Sequence, residues 1–107
     1  MRFEQLRAAY FSRLQTDRAQ LAAIRLELGE MPQSQATAIE HLQLLAHRMC
    51  GAAAIFEADD IFTAAELLDR AASDATRTPG SGTRAVHLAL DTLLNRLSLL
   101  GATAGSR

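Results

Sequence analysis

The chain has little of what builds sheets, disulfides and membrane spans. Aromatic residues make up only 5% of its 107 residues, and β-branched residues are scattered, so a β-sheet is not expected. Cys50 is the single cysteine, which excludes an internal disulfide and is typical of a reducing compartment. No apolar run approaches the ~20 residues needed to cross a bilayer. These shortages favour an all-α, cytoplasmic protein.

The chain also lacks an excess of charge of either sign. The chain has 11 Lys and Arg residues and 12 Asp and Glu residues, which gives a net charge of -1. Nucleic-acid-binding proteins usually concentrate basic residues in a stripe that neutralises phosphates, and no such stripe is present here. Glu4, Arg7 and Arg13 interrupt the apolar run that a signal peptide would need. We therefore expect neither a nucleic-acid partner nor a membrane partner.

Apolar residues recur every three or four positions in four segments, which is the spacing of amphipathic helices. The segments run from about 2 to 28, from a start between 33 and 37 to about 56, from about 60 to 73 and from about 83 to 100. Turn-forming residues fill 74–82, and the small polar residues of 101–107 are expected to fray. Short connections favour antiparallel neighbours, so the sequence predicts a single-domain, up-down-up-down four-helix bundle over 1–107.

Each segment carries one apolar stripe that should face the bundle core. Pro32 is expected to prevent continuation of the first helix, Ser34 or Thr37 to cap the second and Asp59 or Asp60 to cap the third. The predicted stripes are Phe3, Leu6, Tyr10, Leu14, Leu21, Ile24 and Leu28; Ile39, Leu42, Ala46, Met49, Ala53 and Phe56; Ile61, Ala65, Leu68 and Ala72; and Val86, Leu90, Leu93, Leu97 and Leu100.

The second segment departs from a plain amphipathic pattern around His47. This residue lies roughly 130° around the helix from the centre of the apolar stripe, so its side chain should face solvent. Leu44, one turn before it, is large and apolar although it points away from the core. Gly51, one turn after it, costs about 1 kcal/mol relative to alanine inside a helix. An exposed leucine and a helical glycine indicate a surface that another molecule approaches closely.

Residues 45–56, LAHRMCGAAAIF, resemble the signature of the histidine-containing phosphotransfer (HPt) family. In that signature an Ala-His pair is followed by a variable residue, a Leu-like residue, a lysine, a glycine and small residues. Residues 58–61 and 66–69 look like the start and end of the next HPt helix. The resemblance implies a four-helix bundle in which His47 is phosphorylated and Gly51 admits the partner.

Two positions depart from the HPt pattern. The usual lysine, three residues after the histidine, is Cys50 here, and its loss removes a cation that would help to neutralise the phosphoryl group. Arg48 could compensate in part, but it points about 100° away from His47 around the helix. The usual glycine after the Phe-like residue is Glu57, at a predicted turn.

The function implied by the resemblance is a phosphorelay. A neutral imidazole, with an ordinary pKa of about 6.5, has one nucleophilic ring nitrogen. His47 would take a phosphoryl group from one receiver-domain aspartate and pass it to another. By the same resemblance, a hybrid histidine kinase would stand upstream, and the Mg²⁺ ion would belong to the receiver. Leu44 would help to dock the receiver, and Gln43 could orient the ring. We expect a monomer that needs no cofactor of its own.

Other functions fit the residues less well. Autokinase activity is not expected because no glycine-rich ATP loop is present, and Arg48 follows His47 where kinase helices usually have an acid. A di-iron bundle needs Glu-x-x-His, a spacing that none of the three histidines has. His41 and His87 are expected to be surface residues or to lie on the flanks of helices. The remaining alternative is a non-catalytic HPt-like module that binds receivers without carrying phosphate, and Cys50 is its main support.

Overall fold

The chain folds into four α-helices. The computed structural model describes the backbone of residues 2–28, 32–78 and 83–105, and the side chains of 4–28, 35–78 and 83–100. Helix α1 spans Arg2–Glu27, α2 spans Pro32–Ile55, α3 spans Asp59–Arg77 and α4 spans Thr83–Gly105. No strand occurs in these ranges, which confirms the predicted all-α class.

The four helices form a closed ring, in which each helix packs against two neighbouring helices. The neighbouring pairs are α1 with α2, α2 with α3, α3 with α4 and α4 with α1. Contacts between α1 and α4 show that they run antiparallel, because Arg18 bonds Ser98 while Arg25, further along, bonds Asp91. The contact between α2 and α3 is the most extensive, and α1 has the fewest contacts with the rest. This arrangement is the predicted four-helix bundle.

The predicted stripes form one buried core. Leu42, Leu68, Leu90 and Leu93 are all fully buried, and they come from three different helices. Phe56 and Leu100 are only half-buried and pack against this core. Leu6, in the first turns of α1, is an exception, since 58% of it is exposed. Phe3 lies outside the described side chains. Burying these leucines from several sides supplies the main driving force for folding.

Several helix boundaries differ from the prediction. Helix α2 begins at Pro32, because proline is well suited to the first turn, where its missing N–H has no helical partner. Ser34 and Thr37 therefore lie inside the helix and do not cap it. Helix α4 continues to Gly105 instead of ending near Leu100. The side chains of 101–107, the predicted frayed tail, lie outside the described residues.

Helix α3 is also longer than predicted at its carboxyl end. It continues through residues expected to form a loop because Ala75 is buried against the core, and because Asp74 and Arg77 form an ion pair along the helix. At its start, Ala58 is the N-cap residue and makes no side-chain cap hydrogen bond. Asp59 and Asp60 are not caps; they occupy the first turn, where negative charge interacts favourably with the helix dipole.

The turn between α2 and α3 is a Schellman motif. The N–H of Ala58 donates to the carbonyl oxygen of Ala53 at 2.9 Å, and the N–H of Glu57 donates to that of Ala54 at 3.4 Å. This pair of bonds requires a left-handed residue after the helix, and Glu57 has φ of 55°. The tight turn sets α2 and α3 side by side along their lengths.

Among the described residues, no helix is long and apolar enough to cross a membrane.

Candidate functional site

His47 lies well inside α2, and its side chain is 82% exposed. The sequence predicts this exposure, because the buried stripe of α2 occupies the opposite side of the helix. Ala46 and Met49, its neighbours on that stripe, are buried. A helix held by its buried face is a rigid support, so the imidazole has a defined position at the surface.

One ring nitrogen of His47 has a partner on α3. Nδ1 lies 3.2 Å from Oδ2 of Asp69, and a carboxylate can only accept, so Nδ1 carries the proton in this pair. The hydrogen bond selects the tautomer in which Nε2 has the lone pair. No described residue forms a hydrogen bond with Nε2. The arrangement therefore presents an accessible nucleophilic nitrogen at the surface.

An apolar, glycine-containing face of α2 adjoins His47. Leu44 and Ile55 are 69% and 73% exposed, and the helical repeat places them with Gly51 on one line along α2. A Cβ atom added to Gly51 would have no described atom within 4 Å. Packing inside the bundle thus gives no reason for glycine here, and the open backbone remains accessible from outside.

Cys50 lies on the α3 side of α2 and is half-buried. Its Sγ contacts the carbonyl oxygen of Phe62 at 3.9 Å. Burial raises the pKa of the Cys50 thiol, and the negative charges of Asp69 and Glu66 raise it further. The thiol is therefore neutral at ordinary pH, and the charges that act on the position where the resemblance would place a lysine are those of carboxylates.

Arg48 points to the other side of α2. Its Nη2 lies 3.8 Å from Oδ1 of Asp17 on α1, while His47 meets Asp69 on α3. The predicted angular separation of the two side chains is confirmed. Gln43 is half-buried and forms no hydrogen bond with His47 among the described residues; Asp69 is the ring's partner.

The other candidate groups lie outside this surface. His41 is exposed and His87 is half-buried. The described residues contain no group of three or more His, Cys, Asp and Glu side chains that could hold a metal ion. A cavity of about 500 Å³ lies at the end of the bundle where α2 turns into α3, with Tyr10, Phe56, Ile61 and Leu100 in its wall. His47 does not line this cavity.

Comparisons with protein-family models, curated proteins and solved structures find no match to this chain.

Sequence reasoning missed Asp69 as the partner of His47, although the signal was present. The two residues are 22 positions apart and lie at similar distances from the turn at Glu57. In an antiparallel helix pair such residues are neighbours. Asp17 was also missed as a partner of Arg48, and Ile55 as part of the exposed apolar face. Nothing in the sequence indicated the role of Asp17 except that it is an acid within an apolar stripe.

Proposed function

We propose that this chain is a phosphoryl carrier of the HPt kind, with His47 as the residue that holds the group. The observation that carries the proposal is the pairing of His47 with Asp69. It leaves an exposed Nε2 with its lone pair directed away from Asp69, the one partner of the ring among the described residues. A solvated surface histidine without such a partner would have no fixed tautomer.

The proposed transfer needs no proton acceptor. The lone pair of Nε2 attacks the phosphorus of a receiver's aspartyl phosphate, the N–P bond forms, and the P–O bond to the aspartate breaks. The electron pair of that bond stays on the aspartate, which leaves as a carboxylate. Because Nδ1 keeps its hydrogen, the ring becomes a cation, and the adjacent Asp69 carboxylate balances this charge.

The same pairing supports the second transfer. When the next receiver's aspartate attacks the phosphorus, the N–P bond breaks and its electrons return to Nε2. With Nδ1 protonated, the leaving group is a neutral imidazole and not an imidazolate anion. The Mg²⁺ ion of the receiver would neutralise the moving phosphoryl group, since such transfers depend mainly on positioning and charge stabilisation.

The face formed by Leu44, Gly51 and Ile55 supports a receiver-docking role. Two exposed aliphatic side chains supply apolar area, and the bare backbone of Gly51 lets a partner approach the helix closely. His47 lies beside this face, so a receiver docked there would have its aspartate near Nε2.

A specific observation favours a second candidate, a module that binds receivers without carrying phosphate. Cys50 occupies the position of the usual lysine, and the carboxylates of Glu66 and Asp69 act on this thiol. Carboxylates near His47 would repel a phosphoryl group of charge about -2. Docking alone would use the apolar face and would not need the nucleophile.

A labelling experiment separates the two candidates. A panel of purified receiver domains is charged with ³²P-labelled acetyl phosphate and incubated with the chain. The carrier function predicts acid-labile label on the chain that His47→Ala abolishes, while His41→Ala and His87→Ala retain it. Binding to a receiver with no label in any variant would overturn the carrier function and leave the docking module.

A further inference from the structure

A buried carboxylate connects α1 to the helix that carries His47. Asp17 is 4% exposed and is the one buried charged side chain among the described residues. Its Oδ1 accepts a hydrogen bond from Nε of Arg13, one turn before it on α1, at 3.4 Å. The same oxygen lies 3.8 Å from Nη2 of Arg48 on α2. A buried carboxylate is costly unless cations neutralise it, so both arginines matter for the packing of α1.

The two arginines are held differently. Arg13 belongs to the same helix as Asp17 and forms the hydrogen bond. Arg48 is 58% exposed along its side chain, and its contact with Asp17 is too long for a hydrogen bond. Among the residues that the structure describes, none accepts a hydrogen bond from its five N–H donors. Arg48 can leave Asp17 without stripping the carboxylate of its nearer cation.

Arg48 also follows His47 directly in the chain. A phosphoryl group on Nε2 of His47 would bring about -1.5 to -2 charges and three acceptor oxygens to the adjacent residue of α2, and the long side chain of Arg48 would have to turn away from α1 to meet them. Arginine binds phosphoryl oxygens in a bidentate manner, which is stronger than a single long contact with a carboxylate. Another basic residue near Asp69, Arg70, already donates to Glu66 on its own helix at 3.3 Å.

We propose that Arg48 is a cation shared between Asp17 and the phosphoryl group on His47. Without phosphate it pairs with Asp17 and ties α1 to α2; with phosphate it turns to the phosphoryl oxygens, and α1 loses that tie. Helix α1 has the fewest contacts with the rest of the bundle. Phosphorylation would therefore weaken the packing of α1 against the other helices. This inference rests on the proposed carrier function.

The test uses a donor that needs no receiver. Potassium phosphoramidate phosphorylates an accessible imidazole: its P–N bond breaks, ammonia leaves, and the Nε2–P bond forms. ³¹P NMR detects the label, and the signal that His47→Ala lacks is the one on His47. Amide hydrogen exchange of α1 and the side-chain Nε–H signal of Arg48 are then compared with and without the label. We expect α1 amides to exchange about fivefold faster when labelled, and the Arg48 signal to shift.

Matched variants separate this role from general destabilisation. In Arg48→Gln, the amides of α1 should exchange fast without the label, and labelling should cause no further change. Arg48→Lys should restore part of the increase in exchange on labelling. Arg13→Gln removes the other cation from Asp17 but should keep the response to labelling. Labelled wild-type chain whose α1 exchange and Arg48 signal stay unchanged would overturn the shared cation and leave the carrier function standing. Failure of phosphoramidate to label His47 would overturn both.

Discussion

The Asp69 carboxylate on α3 lies 3.2 Å from Nδ1 of His47 on α2. The contact joins two helices at the point where their antiparallel packing brings a carboxylate beside an imidazole. Asp69 is only 24% exposed along its side chain, whereas His47 is 82% exposed. The partner is thus held within the helix interface while the ring reaches into solvent. One residue orients and the other remains accessible.

Asp69→Ala should reduce the nucleophilicity of His47 at Nε2. The variant loses the acceptor that keeps the proton on Nδ1, so the Nδ1–H tautomer becomes less populated and the labelling rate falls by about tenfold. The tautomer population is measured from ¹⁵N chemical shifts of the ring, and the rate from receiver or phosphoramidate labelling.

Two further variants control the Asp69→Ala experiment. Asp69→Asn keeps an acceptor oxygen but lacks the balancing charge, so its rate should lie between those of the wild type and Asp69→Ala. Asp74→Ala removes an exposed carboxylate elsewhere on α3 and should change neither tautomer nor rate. An unchanged tautomer population in Asp69→Ala would show that the hydrogen bond does not orient the ring.

Gly51→Ala should make the chain more stable and a poorer relay partner. The added methyl group meets nothing within 4 Å, and alanine is favoured over glycine in a helix interior by about 1 kcal/mol. Urea denaturation should therefore show a gain of that size. Transfer from a charged receiver should slow because the methyl group keeps the partner's backbone further from α2.

Labelling by phosphoramidate provides the internal control for Gly51→Ala. This small donor needs no docking surface, so its rate should match that of the wild type. If receiver transfer is as fast in Gly51→Ala as in the wild type, the glycine is not a point of close approach.

Glu57→Gly should stabilise the fold by about 0.5–1 kcal/mol. Glu57 has φ of 55°, a left-handed conformation that costs a residue with a Cβ atom roughly 1–2 kcal/mol and costs glycine little. The greater freedom of glycine in the unfolded chain offsets part of the gain. Chemical denaturation measures the change. Ala54→Gly, three residues earlier inside α2, should instead lose about 1 kcal/mol; a loss in Glu57→Gly as well would contradict the Schellman assignment.

The sequence predicts the fold well because the fold depends on periodic burial. Ile61, Leu68 and Leu90 are buried as their spacing requires, since a helix with one apolar face has one way to hide it in a bundle. The helix ends were less predictable. Pro32 and Ala75 show why: proline both terminates helices and starts them, and α3 continues through residues of turn-like composition that include the buried Ala75.

The site was predictable only where it depends on a single helix. The exposure of His47, Leu44 and Gly51 follows from their angle to the core stripe of α2. The partners of His47 and Arg48 come from α3 and α1, and they depend on the register between helices, which a stripe pattern alone does not specify. A turn of known length gives that register for α2 and α3, but the connection between α1 and α2 gave no such constraint.

The Cys50 thiol should react slowly with iodoacetamide at neutral pH. Burial, Asp69 and Glu66 all raise its pKa, and only the thiolate is nucleophilic. Native chain should therefore be alkylated more slowly at pH 7.5 than chain unfolded in urea, and the native rate should rise with pH. Asp69→Asn removes one of these negative charges, which lowers the pKa of the thiol and should speed alkylation. Asp74→Asn is the control, because Asp74 is not among the charges that raise this pKa, and it should leave the rate unchanged.

The raised pKa of Cys50 also predicts how stability depends on pH. The folded thiol holds its proton more tightly than the unfolded thiol, so its contribution is fully present below the pKa of the unfolded thiol, about 8.5. It declines as pH rises through the pKa of the folded thiol. Cys50→Ser should weaken this decline, because a serine hydroxyl does not titrate in that range. Urea midpoints of both chains between pH 7 and pH 10 measure it, and parallel curves would mean that Cys50 is as accessible to solvent folded as unfolded.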